Sequence, residues 1–543
     1  MKKQLIAIST GLLLSIGLFA QEDMKVEWTK KFEHKAERVG TGLEGPNEVS
    51  YIATDKEITV FKTSDGSIVW SKRYKEMVPR LRKIDAFAPF WESDAIFLFD
   101  YKLGKDQLAV VDLNTGDVLW ESTIYQGLSS SNITYIAEKK GFILSLEGNL
   151  TFVDARTGEE KWETTAFKGS IATSIFVDGD LVALNVSPPG LKGLFKGFKN
   201  QIARIDMANG DLKWTQTYIG IPERKIVTGE QVYKMNIEGD KVFLTMNGLQ
   251  VFDLKTGATL WSAAFDNTQG GSKGANGSYA LYGTVADPLR VGRDVYIVEK
   301  TKKKKFVINK YDVNTGKNLW SSPEFKAAEA IPNIFVINDK LIAQVGGAVE
   351  FQSISISKNS DGTTTITRTV GTTNIKPFGL MAFNVSDGTP AWDSEKFKKG
   401  ITNAFVDGEN LIVCSGKSLY SIRYSDGNVN YEEDVKNGGV GLAVEILKYK
   451  DKIVVVGEKG VSTFKISDGK LIAANKYKRS KSESLVDNIL LMRTEKNDFA
   501  AFNLDDCSYV MYNAKKDSEQ ELSQDGKFVW AYEKKEVTKL KTR

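Results

Sequence analysis

The chain alternates apolar and polar positions in short runs of period two, broken by turns centred on glycine. Leu108–Val111 and Leu249–Phe252 are examples. Such alternation predicts half-buried strands, and two runs joined across a glycine predict a β-hairpin. One phrase recurs: "VVDLNTGDVLW" at 110–120, then "TFVDARTGEEKW", "ARIDMANGDLKW", "QVFDLKTGATLW" and "NKYDVNTGKNLW". A reacting centre is needed once, so a phrase used this often points to architecture.

The phrases align on Gly66, Gly116, Gly158, Gly210, Gly257, Gly316, Gly388, Gly427 and Gly469. Four residues later stand Trp70, Trp120, Trp162, Trp214, Trp261, Trp320 and Trp392, then Tyr431 and Ala473. The glycine supplies a positive φ in a tight turn, and a fixed offset puts each aromatic on the same face of its strand. Each turn also keeps a carboxylate. It stands four residues before the glycine (Asp112, Asp154, Asp206, Asp253, Asp312) or immediately before it (Asp65, Asp387, Asp426, Asp468). An Asp at either place accepts hydrogen bonds from turn N–H groups, which explains the exchange. A calcium loop would need a fuller set of ligands than "DLNTGD" provides.

These residues resemble the PQQ-like β-propeller repeat, whose units read approximately A-x-D-x-x-T-G-x-x-x-W. The resemblance covers almost all of 21–543. It implies an all-β fold in which each repeat is one four-stranded antiparallel blade and the tryptophan, from Trp70 to Trp392, docks between blades. A degenerate unit follows the aligned nine, with Cys507 in the glycine place. "KFVWAYEKKEVTKLK" near the C-terminus then supplies two further strands. "KVEWTKKF" near the N-terminus matches "SIVWSKRY", the closing strand of a unit, so the two ends are expected to share the last blade and remove a free sheet edge. About 10–11 repeat units result, more than the usual four to eight of a single ring. Two packed rings are therefore favoured over one large ring.

Composition refines this picture. Residues 1–20 have a basic start, a short apolar run and a small residue at Ala20, which reads as a signal peptide. No cysteine follows the run, which argues against a lipid anchor there. An exported protein is expected, periplasmic or else secreted or at the cell surface, with no membrane span. The formal charge of +4 falls to +2 without Lys2 and Lys3, so no global field is aimed at nucleic acid. His34 is the single histidine, which excludes His-rich metal sites and argues against His-based triads. Cys414 and Cys507 leave a single disulfide open.

Four segments depart from the repeat, and irregular loops on a regular scaffold are where specificity sits. In Val186–Asn200, Leu191, Leu194, Phe195 and Phe198 alternate with lysines, suiting a partner or a membrane surface; a loop tucked on its own blade is the plainer reading. In Lys75–Trp91, Arg80 and Arg82 precede Phe90 and Trp91. Basic groups beside aromatics suit an acidic peptide, while a solvated strand followed by core aromatics is the plainer reading. Gly270–Gly283 lacks phosphate-loop spacing and is expected to be a flexible loop. Phe351–Asn374 is expected to be an extra hairpin projecting from its blade.

Quinoprotein dehydrogenases of the wider family use adjacent cysteines, calcium ligands and an Asp base. This chain has no adjacent cysteines and no C-x-x-C-H haem site, and no catalytic, cofactor or metal residue is assigned. The resemblance is closer to the non-catalytic, BamB-like branch. It implies an exported scaffold that binds protein, possible in envelope or outer-membrane assembly. A PQQ-dependent dehydrogenase and a secreted carbohydrate or adhesion binder are the alternatives.

Overall fold

The computed structural model describes residues 22–42, 48–102, 105–128, 132–146, 148–186, 200–219, 234–245, 248–263, 268–274, 277–282, 284–301, 303, 305–358, 364–394, 397–476, 480–494, 498–516 and 518–543. The signal peptide expected at residues 1–20 lies outside them. The alternating runs become four-stranded antiparallel sheets, each a blade whose strands follow one another from innermost to outermost. Blades 1 to 10 span 38–73, 86–122, 133–164, 170–216, 234–263, 289–321, 333–393, 401–434, 443–476 and 480–512. Blade 11 takes three strands from 519–541, and its outermost strand is Lys25–Lys31, paired antiparallel with Glu536–Lys541. Glu22–Asp23 adds a short parallel strand to the outer edge of blade 10.

The core lies between blades. Hydrophobic clusters join each blade to the next, from blade 1 through to blade 10. Leu491 of blade 10 then packs with Val529 of blade 11, and Trp530 and Tyr532 of blade 11 pack with Ile52 and Phe61 of blade 1. The circuit closes on itself, so the eleven blades form one ring and not two. Phe87, Tyr135, Phe176, Phe335, Phe405 and Leu447, on the inner strands of six blades, pack against these inter-blade clusters.

Connections alternate between the two ends of the ring. First-to-second and third-to-outer strand turns lie at one end, the turn face; all other connections lie at the opposite end, the loop face. On the loop face, the second and third strands of blade 7, Lys340–Lys358 and Thr364–Asn384, continue as a paired extension from Gly347 to Lys358. At about 3.3 Å per residue this reaches some 35–40 Å beyond the blade. The glycine-rich segment expected to be a loop is a second hairpin, Thr268–Gly274 and Gly277–Tyr282, whose latter strand pairs with the extension from Ser278↔Ile354 to Tyr282↔Glu350. The extension offers an edge to pair with, and no local signal could announce it. The two insertions thus build one projecting sheet that bypasses blade 6.

Blade 9 shows how tightly neighbours constrain each other. Where other blades carry tryptophan it has Ala473, and where the next turn would carry glycine it has Cys507, at φ +62. Both side chains share one buried cluster. Ala473→Trp alone is therefore expected to destabilise, and adding Cys507→Gly to recover part of the loss. Comparing the denaturation midpoints of the single and double variants checks this; purely additive effects would contradict it. Cys414 is buried in blade 8 and Cys507 in blade 10, and both are free thiols. Burial pushes the Cys414 thiol up to about 12, so a thiol reagent should label it only after unfolding.

Candidate interaction surface

The turn face is assembled from the repeated phrase. Asp112 Oδ1 accepts from the N–H groups of Asn114 and Thr115 at 2.8 and 3.0 Å, and Asp312 does the same for Asn314 and Thr315. Where the carboxylate has moved next to the glycine, Asp426 accepts from Asn428 and Asp468 from Lys470. Backbone N–H donors hold the carboxyls of Asp253, Asp312 and Asp426 below their usual value. Asp505, bound by Lys450, Tyr449 and Asn488, is lowered to about 2. A depressed carboxyl stabilises the fold above its unfolded pKa near 4 and loses that contribution as pH falls through its folded value. The unfolding midpoint should therefore stay level from pH 7 to about 5 and fall below about 4, with Asp505→Asn shallowing the acid limb.

Across each blade boundary, an outer-strand aromatic lies on the next blade's turn. Trp70 Nε1 donates to Leu113 O at 2.9 Å, Trp120 to Ala155 O at 3.0 Å and Trp162 to Met207 O at 3.1 Å. Trp214, Trp261, Trp320 and Trp392 donate to Leu254, Val313, Val385 and Tyr424 in the same way. The Tyr431 hydroxyl substitutes for the indole N–H at Ile466 O. Trp28, which the alignment on glycine does not include, donates to Ser64 O at 2.8 Å from blade 11. Each indole covers the turn glycine so closely that a Cβ on Gly116 would lie 2.7 Å from Trp70 Cδ2.

Arg156 is the lone arginine at its turn position, and no other local signal marks it. It reaches back to the previous blade, donating to Ser93 O at 3.0 Å and pairing with Asp112 at 2.8 Å. It closes one side of a cleft of about 310 Å³ shared with Glu92, Asp94, Asn114 and Lys140. Its cations and carboxylates lie together beside the hydroxyls of Ser93 and Thr115, and Ser93 Oγ hydrogen-bonds the Tyr135 hydroxyl at 2.8 Å. Arg156→Ala should cost about 0.5–1 kcal/mol in a denaturant titration, as expected of a half-exposed pair.

The four residues singled out in Lys75–Trp91 are not brought together. Arg80 and Arg82 are exposed on the loop face, in the connection from blade 1 to blade 2. Phe90 is buried, stacked at 4.4 Å on Tyr135 and packed on Phe142, so it is core and not a partner contact. Trp91 lies at the other end of the strand, on the turn face, half-buried and stacked on Tyr51. A five-residue strand separates it from the arginines, and alternation alone does not say which end or side a residue takes. Leu191, Leu194, Phe195 and Phe198 lie outside the described residues. An apolar cleft of about 170 Å³ between the inner strands of blades 2 and 3, lined by Phe87, Pro89, Ile133 and Tyr135, is smaller than ordinary ligand pockets. Among the described residues, no group of His, Cys, Asp or Glu side chains is arranged to hold a metal ion, and no helix is long and apolar enough to cross a membrane.

Comparison with curated proteins returns no match. Among solved structures, BamB from Moraxella catarrhalis is similar at 15% identity over 70% of this chain and 95% of that one, with a TM-score of 0.30. The computationally designed Ika8 protein is similar at 11% over 70% and 95%, with a TM-score of 0.33. A eukaryotic initiation factor is similar at 11% over 75% and 90%, with a TM-score of 0.34. The family model described as outer membrane protein assembly factor BamB matches residues 104–343 and 304–542, overlapping spans that together run through most of the ring. With its repeated turn, and an indole docked across each boundary from Trp70 to Trp392, the chain belongs to this BamB-type family of PQQ-like repeat propellers.

Proposed function

We propose that the chain is an exported, non-catalytic scaffold of the cell envelope that holds a protein partner on its loop face. One observation carries this reading. The repeated residues are consumed between blades, whereas the projecting sheet built from two insertions stands free of the repeat on the loop face. A large rigid ring with one elaborated face suits presentation of a surface better than enclosure of a small substrate. The family match supports a protein-binding role, and the apolar run before Ala20 supports export.

The test places a photo-crosslinking residue at Arg80 and Lys417 on the loop face and at Lys255 and Lys317 on the turn face. The expected result is a discrete crosslinked protein from the loop-face positions alone. Equal capture from both faces, or none, would overturn the reading. A calorimetric titration with pyrroloquinoline quinone and calcium, followed by dye-linked alcohol oxidation, separates the enzymatic alternative. Stoichiometric binding with turnover would make the chain a dehydrogenase.

A further inference from the structure

The sheet projecting from blade 7 has two edges, and they differ. One is Thr268–Gly274, the end strand on that side. It carries Lys273, and its pairing shifts register between Gln269 and Ser272, where Gly270 and Gly271 stand. Irregular pairing and an edge lysine are devices by which natural proteins blunt a sheet edge. The other edge is the outlying part of Thr364–Asn384. Its pairing with Lys340–Lys358 runs from Gly347↔Ile375 to Lys358↔Thr364 without a shift. Its far side meets the outer strand Pro390–Asp393 only at Met381, Ala382 and Phe383. Among the described residues, no strand pairs with that side further out. Asn374 lies against Gly400 of the segment leading to blade 8, so the open edge is Thr364–Thr373. This stretch, "TTITRTVGTT", holds no lysine, proline or carboxylate, and eight of its ten residues are β-branched. The outer strands of the blades are edges too, but they are four to seven residues long and most carry a charged residue. A longer, regular, β-branched edge without a blunting device is a template for another strand. The extension already accepts one on its other side, Gly277–Tyr282.

We infer that two copies of this chain join by antiparallel pairing of Thr364–Thr373 with itself. Opposite residues on an antiparallel ladder direct their backbone groups both towards the partner or both away, and these directions alternate along a strand. Pairing of a strand with itself is therefore centred on a residue, never between two. Centring on Arg368 pairs Thr364–Thr372, and centring on Thr369 pairs Thr365–Thr373, nine residues in either case. The first sets the two Arg368 residues directly opposite each other, and like-charge repulsion opposes it. The second sets the two Thr369 residues opposite each other, Arg368 opposite Val370 and Ile366 opposite Thr372, so it is selected. Apart from Arg368 the edge offers no charge that would select a different strand. The contrast between the edges fits a closed pair. A two-fold pair consumes the open edge of each copy and leaves the blunted strand Thr268–Gly274 at both ends of one sheet, four strands from each copy. Growth then stops at two, whereas two open edges would continue into a fibre. Antiparallel pairing also brings the tip of each extension beside the root of the other. The loop faces then stand about 35–40 Å apart, and the rings need not touch.

The test is sedimentation equilibrium of the full chain over a range of concentrations. A reversible monomer–dimer equilibrium is expected, with no larger species. Thr369→Lys and Thr369→Glu each set like charges opposite one another across the two-fold axis, and each should weaken dimerisation about fivefold or more. An equimolar mixture of the two should restore association at least to the parent's strength, because each lysine then meets a glutamate. That recovery also shows that both variants fold. Ser272→Lys, on the blunted edge, should dimerise as the parent does. Monomer at every concentration would overturn the inference and leave the open edge to a strand of another protein. Loss in both Thr369 variants without recovery in the mixture would overturn it, as would unchanged dimerisation of either variant, equal loss from Ser272→Lys, or growth beyond two copies. Partner capture at Arg80 and Lys417 reads the scaffold role separately, so either reading can fail while the other stands.

Discussion

Trp214→Ala is expected to lower the stability of the ring by about 3–5 kcal/mol, the range for a buried tryptophan truncated in a core. Trp214 is 7% exposed and packs in one cluster with Val182, Leu184 and Leu254. Its indole N–H donates to Leu254 O, so truncation leaves both a void and an unpaired carbonyl between blades 4 and 5. Trp120 and Trp320 make the same bond from half-buried positions, and their alanine variants should lose less. Thermal and denaturant midpoints of the three variants give the order. An unchanged midpoint for Trp214→Ala would refute a docking role for the ring of indoles.

The second large effect is at the glycine beneath the indole. Gly116 has φ +68, and a Cβ there would fall 2.7 Å from two Trp70 ring carbons. Gly127 has nearly the same φ, +70, with nothing within 4 Å of its Cβ position. Gly127→Ala should therefore carry only the left-handed backbone penalty, about 1–2 kcal/mol. Gly116→Ala should carry that penalty and also displace Trp70 from Leu113 O, for a total of about 3 kcal/mol or more. The difference between the two midpoints isolates the contact from the conformation. Equal losses would mean that turn geometry alone explains the repeated glycine.

That pair of residues also shows what the sequence makes legible. Glycine and tryptophan recur four apart in one repeat, but their partnership runs from each tryptophan to the glycine of the following repeat. The exchange at Ala473 and Cys507 is the visible trace of that link, since a small residue on one blade releases the glycine on the next. Strand pattern, blade composition and the count of units all follow from local signals. Ring number does not, because it depends on which blade the last one packs against, and the contact of Trp530 and Tyr532 with Ile52 and Phe61 joins opposite ends of the chain. Phe90 was ambiguous for a related reason: period two shows that a side chain leaves the strand, not which neighbour it meets. The pairing of the glycine-rich hairpin with blade 7 joins segments about 70 residues apart and has no short-range signature.

The strand Lys25–Lys31 pairs with Glu536–Lys541, and Thr29 meets Thr538 across 509 positions of chain. Loop-closure entropy grows only as the logarithm of length, so this pairing costs only about 2 kcal/mol more than a pairing within one 50-residue repeat. The time required is another matter. During synthesis the first strand waits for the last residues before it can find its partner, with the edges of blades 1 and 10 open in the interval. Joining Lys541 to Lys25 through a turn of the "DLNTGD" type, and opening the chain at another connection, would make that pairing local. Such a permutant should refold faster while keeping the same ring, which would make the position of the chain ends a control on assembly rate rather than on architecture.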